Sequence, residues 1–219
     1  MFIALLFGVL SILLVREPEE IKNFVEDPNG NLKGNGERNR SIVAALASIF
    51  LFSSVGGILM SIFPSYATDL GISAFDIGII TFTFGFARAL VFYQANNIET
   101  YIKKTGMFLA GSTALGFASL VTLYSNTTLS YVICFLIFGF GSGISYAASI
   151  ASLLRWRRSS RGYSAGLFES LIGIGYFFGP LTAGFLSEFA DNAPYLYSLF
   201  LSLVVILIQL GYKYRFTSD

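Results

Sequence analysis

Two charged residues stand inside long apolar runs, where a charge needs a chemical reason. Arg88 lies in DIGIITFTFGFARALVFYQA and Glu169 in YSAGLFESLIGIGYFFGP. A guanidinium at the centre of a membrane helix is costly unless it faces a wet cavity or a partner. At helical rise Arg88 sits about 10 Å from the nearer, basic end of its run, with Gly85, Phe84, Val91 and Phe92 as its neighbours three and four residues away. It reads as a substrate or ion contact, as one arm of a gating ion pair, or as a structural cation that snorkels or pairs with a neighbouring helix. Glu169, about 10 Å in from a basic loop, is the second buried charge. It could carry a proton if desolvation raised its pKa, pair with an Arg, or reach the aqueous entrance. Its helical face holds Ala165, Gly166, Gly173 and Tyr176, a small-residue stripe that predicts close helix approach. The hydroxyls of Tyr146 and Tyr176 need partners, which makes both residues candidates for a cavity wall.

Glycines gather beside these residues. GFGSGISY carries Gly139, Gly141 and Gly143 before Tyr146, and GIGYFFGPLTAGF carries Gly173, Gly175, Gly179, Pro180 and Gly184. Small residues let helix backbones pack closely. Pro180 removes a hydrogen bond from its own helix, so packing combined with bending is the expected role of the second cluster.

Other chemistries are excluded by what the 219 residues lack. There is no His and a single Cys, Cys134, so no Ser/His/Asp or Cys/His set, no intrachain disulfide and no metal site are expected. No phosphate-binding loop of the Walker type is present. A net charge of +1 gives no basic excess for nucleic acid. We therefore expect neither an enzyme nor a cofactor.

The elements that must position Arg88 and Glu169 are membrane helices. The chain is 54% apolar and 12% charged, against about 25% charged in a soluble domain. Runs long enough to cross about 30 Å of hydrocarbon occur at residues 41–63, 76–95, 105–124, 129–154, 163–189 and 194–211. Residues 1–15 are apolar but would cover only about 22 Å, which suggests a partial transmembrane helix. Without a leading positive charge or a small-residue cleavage site, this run does not resemble a signal peptide. Residues 16–40 form a polar, mixed-charge stretch expected to be a mobile cytoplasmic linker. The six-helix domain is then 41–215. Lys and Arg fall in every second loop: Arg16 to Arg40, Lys103 with Lys104, Arg155 to Arg161, and Lys213 with Arg215. The intervening loops hold none, so 13 of the 14 cations lie on one side and only Arg88 is outside the pattern. Cytoplasmic loops carry that excess. The linker and C-terminus should therefore be cytoplasmic, in an integral protein of the plasma membrane.

A shift of 88 residues lays Gly78 on Gly166 and Gly85 on Gly173. The two stretches would run in opposite directions, as expected for two inverted three-helix repeats. The expected fold is an all-α membrane protein with six full transmembrane helices and a partial N-terminal one.

In these residues the chain resembles the C-terminal half of a major facilitator superfamily transporter. The distinctive stretch is 138–186. A Gly-rich helix reaches Tyr146, the basic loop RWRRSSRG follows, and Gly175-x-x-x-Gly179-Pro180 is similar to the family's GxxxGP motif. The loop QANNIETYIKKTG keeps Lys103 and Lys104 but lacks the Asp-Arg pair of the family's gating motif. The resemblance implies alternating-access movement of a small solute, with coupling to protons or ions as an option. It implies that the helices holding residues 52–57 and 139–146 line the cavity, while those of Arg88 and Glu169 face a second half. That half would be a separate N-terminal unit or a second copy of the chain. The competing expectation is a non-transporting scaffold or receptor that kept a carrier's fold.

Overall fold

The computed structural model describes residues 35–94, 106–156 and 161–214. Residues 1–15, most of the linker, Lys103, Lys104, Arg157, Arg158 and Arg215 lie outside the described residues. Among the described residues every regular element is a helix: α1 (Asn35–Ser61), α2 (Phe63–Asp69), α3 (Ala74–Tyr93), α4 (Gly106–Leu123), α5 (Thr128–Trp156), α6 (Arg161–Ser187) and α7 (Ala193–Tyr214). Six stretches are long and apolar enough to cross a membrane, the first being Ile42–Asp69, which joins α1 to α2. The protein is an all-α membrane protein.

Local chemistry sets the ends of these helices. Pro64 near the start of α2 has no N–H to give to the preceding turn, and the helix breaks at Ile62. The ladder is nevertheless bridged there by Ile62 N–H to Ile58 O at 2.9 Å and Tyr66 N–H to Ile62 O at 3.1 Å. The first span is therefore longer than the 41–63 read from hydropathy, and α1 begins at Asn35, inside the stretch expected to be linker. A helix can extend past the hydrocarbon into water, where polar residues no longer oppose it. Gly71, at φ +78°, turns the chain after α2, a left-handed conformation that glycine adopts without a Cβ clash. Ser73 then caps α3, accepting from Asp76 N–H at 3.2 Å and donating to Asp76 Oδ2 at 2.8 Å.

Polarity does not sort inside from outside: small hydroxyl residues are buried beside large rings such as Phe52, Phe63, Phe135 and Phe168. Ser48, Ser53, Ser54, Ser112, Ser119, Ser145, Ser149 and Ser202 are buried, while Phe75, Phe82, Phe117, Phe177, Phe185 and Phe200 are exposed. Lipid tails are as apolar as Leu, so helices gain by bringing small residues together. Three of these hydroxyls turn back onto their own helix: Ser53 donates to Ile49 O at 2.6 Å, Ser119 to Leu115 O at 2.9 Å and Ser202 to Ser198 O at 2.8 Å, whereas Ser149 donates across to Ala45 O of α1 at 3.3 Å. Gln209 of α7 instead ties three helices together, its Nε2 donating to Ser48 Oγ of α1 at 2.9 Å and Ser112 Oγ of α4 at 3.0 Å.

The first span and α5 are the most enclosed, whereas α3 and α6 are peripheral, with 28% and 17% of their apolar windows buried. The two most extensive helix contacts are α1 with α6 and α5 with α3. Ala87 and Val91 of α3 meet Gly139 and Gly143 of α5. Eighty-eight residues on, Gly175 and Gly179 of α6 meet Ser53 and Ser54 of α1. The faces in contact thus keep the register of the sequence repeat.

Candidate functional site: an arginine held by aromatic rings

Arg88 lies in the interior of α3 and projects to the junction of α3 with α1 and α5. Its guanidinium carbon is 4.9 Å from the ring centroid of Tyr146 on α5, 5.4 Å from that of Phe92 on its own helix and 5.9 Å from that of Phe52 on α1. Tyr146 holds the group together: its ring is 5.7 Å from Phe52, 5.1 Å from Phe92 and 4.8 Å, edge-on, from Phe168 of α6. Phe52 and Phe168 are fully enclosed.

Close packing of α3 on α5 builds this cage. A Cβ on Gly139 would stand 2.5 Å from Phe84 O, and one on Gly143 would stand 2.9 Å from Val91 Cβ. Real side chains do not approach so closely, and only glycine permits the spacing that brings Tyr146, one turn further along α5, over Arg88. Phe92, four residues after Arg88, shares its helical face.

The electrostatics are one-sided. Arg88 Nε is buried with no hydrogen-bond partner. Each ring over a guanidinium is worth about 0.5–1 kcal/mol, more when desolvated. Three rings therefore offset much of the cost of an Arg in a membrane helix, which is about 2.5–3.5 kcal/mol at the helix centre and less at Arg88, near the end of α3. What they cannot supply is hydrogen-bond acceptors. Glu169 does not fill that place, because it is exposed on α6. Glu169 lies within the α6 span but on the outer surface of that peripheral helix, outside the cage. Tyr176 stands apart from the cage, with its hydroxyl against α1, 3.0 Å from where a Cβ of Gly56 would be.

With this geometry in view, the comparison with known families is direct: the model of the Major Facilitator Superfamily matches residues 44–218. The chain belongs to the major facilitator superfamily. It is similar to an uncharacterised MFS-type transporter of Methanocaldococcus jannaschii, 26% identical over 160 residues that cover 70% of this chain and 40% of that protein. It is also similar to the quinolone resistance protein NorA of Staphylococcus aureus, 18% identical over 175 residues, covering 78% of this chain and 45% of NorA. The chain spans less than half the length of the curated relatives it matches.

Within this superfamily member the glycines divide by helix face. Gly175 and Gly179 abut α1, a Cβ on Gly179 falling 2.5 Å from Ser54 O. Gly141 faces Ala114 and Leu115 of α4. Gly166, Gly173 and Gly184 have nothing within 4 Å of a Cβ position. The close approach expected along the Glu169 stripe is instead made by the face of Gly175 and Gly179. Pro180 packs its ring on Gly57, where a Cβ would be 2.9 Å from Pro180 Cδ, while α6 runs through it from Arg161 to Ser187. An open apolar hollow on α3, lined by Phe75, Gly78, Ile79 and Phe82, lies near the start of that helix and away from Arg88.

Of the cage residues, Phe92 is legible from its spacing to Arg88, whereas Phe168 carried no mark in a chain with 23 Phe. Among the described residues there is no group of His, Cys, Asp and Glu able to hold a metal.

Proposed function

We propose that this chain is the C-terminal half of a secondary active transporter that moves a small solute by alternating access. The observation that carries the proposal is the cage: a cation within a span, held by rings from α1, α3 and α5 and lacking an acceptor. Binding sites of carriers lie near the midplane, between two helical units. In this reading the second unit covers the apolar outer faces of α3 and α6. The glycine contacts couple α6 to α1 and α3 to α5, so that each pair moves as a body when the units rock. Arg88 and Tyr146 then meet the solute. Glu169, exposed on the helix that faces the second unit, is the candidate for a coupling proton. The plasma membrane, with the basic loops on the cytoplasmic side, is the setting that the charge pattern favours.

The test is flux in liposomes containing the purified chain, alone and together with a six-helix unit encoded beside it. Sugars, carboxylates and amines are offered under an imposed proton or sodium gradient. Accumulation that collapses with the gradient is the expected result. Folded protein that gives no flux in either composition would overturn the reading and leave a scaffold or receptor with a carrier's fold.

A further inference from the structure

We propose that the Arg88 cage is a binding site for a monoanionic organic solute, a carboxylate joined to a flat apolar body. The inference rests on the carrier reading and adds the substrate class.

Three observations lead to it. Arg88 makes neither a hydrogen bond nor an ion pair with any described residue, and of its donors only Nε is enclosed by the protein. The terminal Nη donors therefore remain reachable. An arginine fork matches the two oxygens of a carboxylate. Around it stand the rings of Phe52, Phe92 and Tyr146, with Phe168 behind. Phe52 and Phe168 are enclosed, and the rings that keep accessible surface, Phe92 and Tyr146, cover an apolar body while offering a sugar only the Tyr146 hydroxyl. Net charge sets the valence. One guanidinium neutralises one carboxylate, whereas a phosphate dianion would leave a negative charge uncompensated in a site of low dielectric. A cationic amine would meet repulsion from Arg88 itself.

The experiment measures equilibrium binding of radiolabelled benzoate to the whole chain in lipid nanodiscs, with benzylamine, benzyl alcohol and inorganic phosphate as competitors. Saturable benzoate binding is expected, with benzylamine and phosphate competing at least tenfold more weakly than unlabelled benzoate. Hydrogen bonds to a charged group are worth a factor of about 10–100, so Arg88→Gln should weaken benzoate by at least tenfold. Should that variant fail to fold, Arg88→Lys keeps the charge and loses only the fork, with a loss of about tenfold expected. The proposal is overturned if wild type shows no saturable benzoate binding, if benzylamine competes as well as benzoate, or if the folded Arg88 variant binds benzoate unchanged. The two readings fail separately. Benzoate bound without flux of any solute refutes the carrier alone, while flux of amines or sugars without benzoate binding refutes the anion site alone.

Discussion

Adding one methyl group at Gly179 should separate two helices that most of the molecule depends on. The Cβ of Gly179→Ala would lie 2.5 Å from Ser54 O, 2.7 Å from Ser54 Cα and 2.9 Å from Ser54 C. All three are backbone atoms of α1, so no rotamer change relieves them. Ordinary contact begins at 3.4 Å, which means α6 must back away from α1 by about 1 Å along their main interface. Overpacking of this kind costs about 1–3 kcal/mol. Gly173, less than two turns earlier on the same helix, has nothing within 4 Å. Gly173→Ala therefore keeps only the helix-propensity gain of about 1 kcal/mol or less. For a chain of this size 1 kcal/mol moves the unfolding midpoint by about 2–4 °C. In detergent melts followed by circular dichroism, Gly179→Ala should fall by about 2–10 °C, while Gly173→Ala holds or rises slightly. Equal midpoints for the two variants, or a more stable Gly179→Ala, would refute the assignment of the α1 face of α6.

Three further outcomes follow from the same packing. Arg88→Met should leave the midpoint unchanged or raise it, since the cation–π gain and the cost of an Arg in the span nearly cancel; a drop of more than about 1 kcal/mol in the same melt would mean that Arg88 has a counter-charge. Gln209→Leu should cost about 1 kcal/mol or less, because interhelical hydrogen bonds in membranes average about 0.6 kcal/mol, whereas Gln209→Ala should cost about 2–4 kcal/mol through the cavity it opens; similar melts for the two would show that the amide rather than the volume matters. Ser73→Ala removes the cap of α3 and should cost about 1 kcal/mol, seen as faster hydrogen exchange at Asp76 and Ile77 with α5 unaffected.

The run lengths of apolar residues located all six spans, because bilayer thickness is a constraint that any one helix meets alone. Helix ends were less legible: Ile42–Asp69 outruns its hydropathic core, since α2 resumes beyond Ile62. Which face of a helix meets which neighbour was least legible. In a soluble protein the apolar side of α6 would declare itself, but in lipid both sides are apolar, and small residues stand on both. The stripe of Gly166 and Gly173 and the stripe of Gly175 and Gly179 look alike in sequence, yet only the second touches α1. Arg88 was legible as an anomaly and Phe92 as its neighbour. Phe52 and Tyr146 could be placed over it only by the packing of three helices.

The buried serines also bear on how such a chain enters a membrane. Because Ser53, Ser119 and Ser202 satisfy their hydroxyls within their own helices, those groups are already satisfied while a helix stands alone in lipid during synthesis, before any neighbour arrives. Gln209 and Ser149 differ, the latter donating across to Ala45 O of α1, and for Gln209 the dependence is complete. Its amide finds partners only on α1 and α4, both of which precede α7 in the chain and can already be in the bilayer when α7 leaves the ribosome. The order of emergence thus supplies each acceptor ahead of the donor that needs it.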